Sequence, residues 1–153
     1  MIRFLLLLCL FNTAISKNIL YGNVFVNEVT SIYDADTFRV NVAHWPALIG
    51  ERIPVRVNGV DAPEIRAQCP QERDKALRAK LFTVVTLRAA KQIELRNLKR
   101  GKYFRIIADV YVDGKSLATL LIAKKLARPY DGNRRRGWCT TLKGNHDELS
   151  IKF

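Results

Sequence analysis

At 153 residues the chain favours one domain, and a hydrophobic fraction of 48% is enough for a real core. Its 26 Lys and Arg against 14 Asp and Glu give a formal net charge of +12. Solvated surface charge does not easily account for that excess. A polyanionic partner does, with nucleic acid the first candidate and acidic membrane lipid the second.

The N-terminal stretch reads as a leader. Met1-Ile2-Arg3 is a short basic start, Phe4 to Phe11 is an unbroken apolar run, and small residues follow at Ala14 and Ser16. This is the pattern of a secretory signal peptide over residues 1–16, cleaved after Ser16; the competing reading is an ordinary buried segment. The run is too short to span a membrane, which takes about 20 apolar residues. The expected destination is the periplasm or the outside of the cell, with no stable membrane association after cleavage and with a monomer as the simplest state. Residues 17–153 form the expected domain, with a core over about 29–130 and a tail over 131–153. Cleavage would remove Arg3 and Cys9. Cys69 and Cys139 then remain as an even pair in an exported chain, for which a disulfide is expected. These cysteines, with His44 and His146 at unrelated spacings, make no zinc signature.

Residues 19–33 mix β-branched, aromatic and polar side chains and read as a strand. Asp34-Ala35-Asp36 is a turn. Residues 37–42 alternate cleanly as a second strand, and 43–50 are a hairpin connection. In the third strand, 52–57, Ile53, Val55 and Val57 share one face and Arg56 takes the other, free to reach a surface cleft. A loop ends at Cys69-Pro70. Residues 71–90 read as a helix buried through Ala76, Leu77, Leu81, Val84, Val85 and Ala89. A short strand at 93–95, a basic turn at 97–102 and a longer strand at 103–112 follow, closed by Asp113-Gly114. Ser116 is the expected N-cap of a second helix over 116–126, with Leu117, Leu120, Leu121 and Ala123 buried. Residues 133–137 are a basic loop, and 140–153 give no element. The fold class is α+β and β-rich: a five-stranded barrel of the OB type with two to three packed helices.

The most informative stretch is Arg56-Val57-Asn58-Gly59-Val60-Asp61-Ala62-Pro63-Glu64. With Asp34-Ala35-Asp36-Thr37 upstream and Tyr103-Phe104-Arg105 downstream, it offers carboxylates for a hard metal ion, another carboxylate as base, and two arginines for a phosphate. Those are the parts of metal-assisted phosphodiester hydrolysis. Taken singly, each has a structural reading: Asp36 starts a strand, Asp61 and Glu64 form a solvated acidic turn, Arg56 is a strand-surface cation, Arg105 pairs with Glu94 or Asp109, and Tyr103 and Tyr130 are half-buried aromatics.

The ordered set changes those odds. Asp34-Ala35-Asp36-Thr37, Val55-Arg56-Val57 through Asp61-Ala62-Pro63-Glu64, Tyr103-Phe104-Arg105, Tyr111 to Lys115, and Leu126-Ala127-Arg128-Pro129-Tyr130 resemble the staphylococcal nuclease family in order and spacing. The resemblance runs from about residue 29 to 130. It implies Ca²⁺ held by Asp36, Asp61 and the backbone carbonyl of Ala62, Glu64 as the base, and Arg56 and Arg105 on the phosphate. It implies that Tyr103 and Tyr130 help form the nucleotide pocket; Lys102, by its charge, is a further candidate for binding the substrate. The family often has glycine where Ala35 and Phe104 stand and threonine where Ala62 stands. Phe104 is the departure expected to disturb the approach of Arg105.

The expected activity is an exported, Ca²⁺-dependent nuclease acting on DNA and RNA and leaving 3′-phosphate ends. Arg134, Arg135 and Arg136, with Lys99, Arg100 and Lys102, would add diffuse attraction to the phosphate backbone. The principal alternative is a catalytically silent nucleic-acid-binding module, which would be expected to have lost an acid of the set. A cationic membrane-active protein ranks last, because no strongly amphipathic basic helix is present.

Overall fold

The computed structural model describes residues 19–139. The expected leader, with Cys9, and residues 140–153, with Leu142 and His146, lie outside the described residues. The elements run β1 (Val24–Phe25), β2 (Glu28–Asp34), β3 (Thr37–Asn41), α1 (Ala47–Gly50), β4 (Ile53–Val57) and β5 (Val60–Asp61). They continue with α2 (Pro70–Ala89), β6 (Ile93–Arg100), β7 (Ile106–Val112), β8 (Lys115–Ser116), α3 (Leu117–Ala123) and β9 (Arg128–Pro129).

One sheet takes the order β1-β6-β7-β4-β3-β2, with β8 added to β7, while β5 and β9 form a separate two-stranded ladder. The pairing is antiparallel except between β4 and β7, which run parallel. Five long strands, β2, β3, β4, β6 and β7, curl into a half-barrel with three helices, the β-rich α+β architecture of an OB-like domain. The core is the inward face of that curl: Phe38 and Val40, Val55 and Val57, Leu95, Val110, and Leu117 and Leu121 from α3. Burial of Phe38 is worth about 2–3 kcal/mol. It fastens β3, and with it the turn that carries Asp36, to the core.

Strand parity holds in β4. Ile53, Val55 and Val57 are buried and Arg56 lies on the opposite face. Ser116 caps α3 as expected, accepting a hydrogen bond from the Thr119 N–H at 3.3 Å.

Five local expectations change. The second expected helix, α3, ends at Ala123 instead of 126, and Ala123 is exposed. The strand over 19–33 is two strands, because consecutive residues choose different partners: the Val26 N–H donates to Ile93 O and the Asn27 N–H to Asn41 O, each at 2.9 Å. The connection over 43–50 ends in the short helix α1. On α2 the buried residues are Ala76, Ala79, Thr83 and Leu87, whereas Leu77, Leu81 and Val85 are 58–63% exposed. Small side chains bring this helix close to β2, close enough for Thr83 Oγ1 to donate to the carbonyl of Ala35 at 2.8 Å. Finally, β6 continues through the expected basic turn to Arg100, past a register shift between Arg96 and Lys99. The turn therefore moves to 101–105. Tyr103 and Phe104 sit in it with φ of 56° and 59°, so the next strand begins only at Ile106.

Candidate active site

Each functional side chain is placed by a specific piece of the fold. Asp36 closes the turn between β2 and β3 and is 2% exposed. Arg56 stands opposite Thr37 in the β3–β4 ladder and opposite Ile107 in the β4–β7 ladder, so its side chain rises beside that turn. Asp36 accepts from Thr37 Oγ1 at 2.9 Å, from Arg56 at 3.1 Å, and from the backbone N–H of Ala62 at 3.2 Å. Arg56 also donates to the carbonyl of Val60 at 3.3 Å. The acid motif is thereby tied to the sheet at two neighbouring residues, Val60 and Ala62.

Gly59, at φ +76°, turns the chain from β4 into β5, a backbone conformation that glycine adopts freely. Asp61 then pairs with Arg128 in the β5–β9 ladder and is 4% exposed. Its carboxylate is surrounded by donors: Arg128 Nη2 at 3.3 Å, Trp138 Nε1 at 3.2 Å and Arg135 Nε at 2.7 Å. Arg128 lies over the Trp138 ring, 3.7 Å from its centroid. Glu64 follows Pro63 and stays half exposed. Its N–H donates to Glu72 in the first turn of α2 at 3.2 Å, and its carboxylate contacts Arg135.

One cleft of about 380 Å³ collects Tyr33, Asp34, Asp36, Thr37, Arg56, Glu64, Arg105, Tyr130 and Arg135. Of the sequence candidates, Asp36, Arg56, Glu64, Arg105 and Tyr130 meet there. Asp61 adjoins through Arg135, and Ala62 through its N–H bond to Asp36. Arg105 lines the cleft and holds its Nε buried with no hydrogen-bond partner among the described residues. Neither Glu94 nor Asp109 takes it: Glu94 pairs with Arg96, and Asp109 accepts from Asn58 and Asn97.

Tyr103 and Lys102 lie elsewhere. They line a neighbouring groove with Tyr33, Arg39 and Pro54, sharing only Arg105 and a few β2–β3 residues with the cleft. Tyr103 is 91% exposed, so the half-buried reading does not hold for it. Tyr130 hydroxyl donates to the carbonyl of Asn133 at 2.6 Å. Of the two departures from glycine noted in the sequence, Ala35 has no positive φ and is accommodated without strain. Phe104 does occupy the left-handed region, at a cost of about 1–2 kcal/mol for a non-glycine residue.

Two ionisable groups are shifted. Burial raises the Asp34 carboxyl; the Ile65 N–H pulls it back, and the charges of Asp36 and Glu64 push it further up. For Arg135 burial works against the charge, but the hydrogen bond to Glu64 and the charges of Asp61, Glu64 and Asp36 prevail and raise its pKa above the ordinary value.

Sequence reading missed Arg128, Arg135 and Trp138 as members of the site. The signal lay in the cysteines. Cys69 and Cys139 form a disulfide, with Cα atoms 5.9 Å apart. Cys69 stands five residues after Glu64 and Cys139 four after Arg135, so the bridge brings the basic loop to the acid motif. Cys69, Glu72 and Cys139 also cluster, but both sulfurs belong to the bridge and neither is a thiolate that could ligate a metal.

Among the described residues the Asp36 and Asp61 carboxylates are engaged by Arg56, Arg128, Arg135 and Trp138, so a hard divalent cation would displace some of these donors; the ligand type itself suits one. Asp36, Asp61 and the Ala62 carbonyl supply oxygen only, and two of the three are buried carboxylates.

The family model described as staphylococcal nuclease homologue matches residues 54–141, more than half of the chain. The matched stretch contains Arg56, Asp61, Glu64, Arg105 and Tyr130; Asp36 precedes it. A search among curated proteins found no match.

Proposed function

This chain belongs to the staphylococcal nuclease family, and from that premise we propose that it is an exported, Ca²⁺-dependent endonuclease that hydrolyses phosphodiesters in DNA and RNA and leaves 3′-phosphate ends. Nucleases of the family are generally Ca²⁺-dependent, which sets the choice of ion. The observation that carries the reading is the single cleft in which Glu64 stands with Arg56 and Arg105, beside the buried Asp36. A silent module would keep the basic surface but has no need of these buried acids.

In this reading Asp36, Asp61 and the Ala62 carbonyl hold the ion, which when bound polarises a phosphoryl oxygen. Arg105 presents its planar fork to the equatorial oxygens of the phosphorus as charge builds there, and Arg56, held against Asp36, adds its charge and the N–H donors that this pairing leaves free. The rate gain comes from their binding the transition state more strongly than the substrate. Glu64, half exposed at the cleft edge, accepts the proton of the attacking water. Tyr130 flanks the nucleotide, with Tyr103 and Lys102 at the next groove along the strand. The disulfide supports export, since such bridges persist in oxidising compartments.

The test is plasmid and single-strand cleavage by the oxidised protein, with Ca²⁺ and with a chelator, beside Glu64→Gln. Loss of a general base predicts a fall of about 10²–10⁴ in rate. Oligonucleotide binding should be retained. Full activity in Glu64→Gln would remove Glu64 as the base, and binding without cleavage by the native protein would move the chain to the silent class.

A further inference from the structure

Arg135 differs from the arginines on either side of it. Arg134 and Arg136 line a separate depression with Gly59, Asp61 and Arg128, whereas Arg135 alone of the three enters the cleft of Arg56, Glu64 and Arg105. The backbone that carries it is held along its length. Asn133 donates to the Asp131 carboxylate at 3.1 Å and 2.7 Å, and Arg128 donates to the carbonyls of Arg136 and Gly137 at 2.7 Å and 3.3 Å. Trp138 donates to Asp61, and Cys139 is bonded to Cys69. So many ties fix where the Arg135 side chain starts and leave its end as the adjustable part. That end is 40% exposed and touches Asp61 and Glu64.

We propose that Arg135 is a third arginine for the substrate phosphates, delivered to the cleft by the disulfide-pinned segment 131–139. The inference rests on the nuclease reading and adds to it a ligand that diffuse surface charge does not describe. A guanidinium has five N–H donors, and the two carboxylate contacts use two of them. Three N–H groups remain, and Arg135 lines the same cleft as Arg56, Glu64 and Arg105, where an incoming phosphate must sit. Asp61 and Glu64 hold Arg135 ready, so less ordering is needed when the phosphate arrives. Loss of a mere counter-ion would also weaken binding, but only as far as the loss of any neighbouring surface charge does. Removing it would leave the cleft more acidic but would take no ligand from the phosphate.

The experiment measures binding of a labelled single-stranded oligonucleotide by anisotropy, across a salt series with Ca²⁺, in a Glu64→Gln background. Arg135→Ala should weaken binding by roughly 10-fold and lower the log–log salt slope by about one. Arg135→Lys should restore the slope but not the full affinity, because the fork is lost. Arg134→Ala is the control and should change affinity by less than about 3-fold. The Cys69→Ser/Cys139→Ser variant should bind as weakly as Arg135→Ala, and adding Arg135→Ala to it should change little more. If that variant does not fold, the contrast between Arg135→Ala and Arg134→Ala decides alone. Unchanged or tighter binding by Arg135→Ala overturns the proposal, as do equal losses at both arginines, which mean diffuse attraction. Cleavage persisting in the Glu64→Gln background appears as decay of the anisotropy. It would count against Glu64 as the base, while the amplitude before decay still reports on Arg135.

Discussion

Arg56 meets Asp36 as a fork across neighbouring strands: Nη1 donates to Oδ1 and Nη2 stands against Oδ2, each at 3.1 Å. The pair is well shielded, the side chains being 15% and 3% exposed. Removing one partner of such a pair leaves the other charge buried and uncompensated. Asp36→Asn should therefore destabilise the protein by about 3 kcal/mol, read as a lower urea midpoint at unchanged slope. A loss below about 1 kcal/mol would mean that water reaches Arg56 more freely than its burial implies.

The two faces of α2 should respond in opposite ways. Leu81 is largely exposed although its hydropathy marks it as core, so Leu81→Lys should change stability by no more than about 0.5 kcal/mol. Ala79 is fully buried, and Ala79→Leu should cost about 2 kcal/mol through overpacking. Thermal or urea unfolding of the two variants checks both. Comparable losses at the two positions would mean that the helix packs by its large residues after all.

Joining Cys69 to Cys139 closes a loop across a sequence separation of 70. Chain entropy predicts that breaking it costs about 4 kcal/mol. Unfolding of the oxidised protein against Cys69→Ser/Cys139→Ser measures the difference. Equal stabilities would show that the basic loop is held by its arginine and tryptophan contacts alone.

Asp34 carries a pH signature. Burial, the largest influence, raises its carboxyl above 3.8, and the folded chain holds that proton to a higher pH than the unfolded chain does. The stability this group contributes is complete below the unfolded value and is lost as pH rises through the folded one. Asp34→Asn cannot titrate. Its stability relative to the native chain should therefore improve as pH rises through the window just above 3.8 and then level off. Urea unfolding of both proteins in chelator, across that window, tests the sign. A relative loss for the variant with rising pH would refute it.

What was legible in the sequence followed the range of the interaction. Strand alternation is local, so the inward face of β4 and the outward Arg56 could be assigned from five residues. The acid motif was legible because proline and glycine mark its turns. The buried face of α2 was not, because close packing against β2 selects Ala79 and Thr83 over the more hydrophobic Leu77 and Leu81. The start of β7 was misplaced because Asn97, Tyr103 and Phe104 adopt left-handed backbone that their residue types do not announce. Arg135 was seen as a surface charge because its contact with Glu64 joins residues 71 apart. Nothing local in a run of arginines says which one turns inward.

Every contact to Asp61 from Arg128, Arg135 and Trp138 is made by residues 67 to 77 positions later in the chain. During synthesis the acid motif therefore emerges well before its counter-charges. At roughly 5–20 residues per second the delay is several seconds or more. Over that interval the newborn chain displays bare acids at the motif while the cationic wall opposite has yet to be made. Assembly of this cleft is thus a late event in the life of each molecule, completed at the ladder between β5 and β9 and sealed by oxidation.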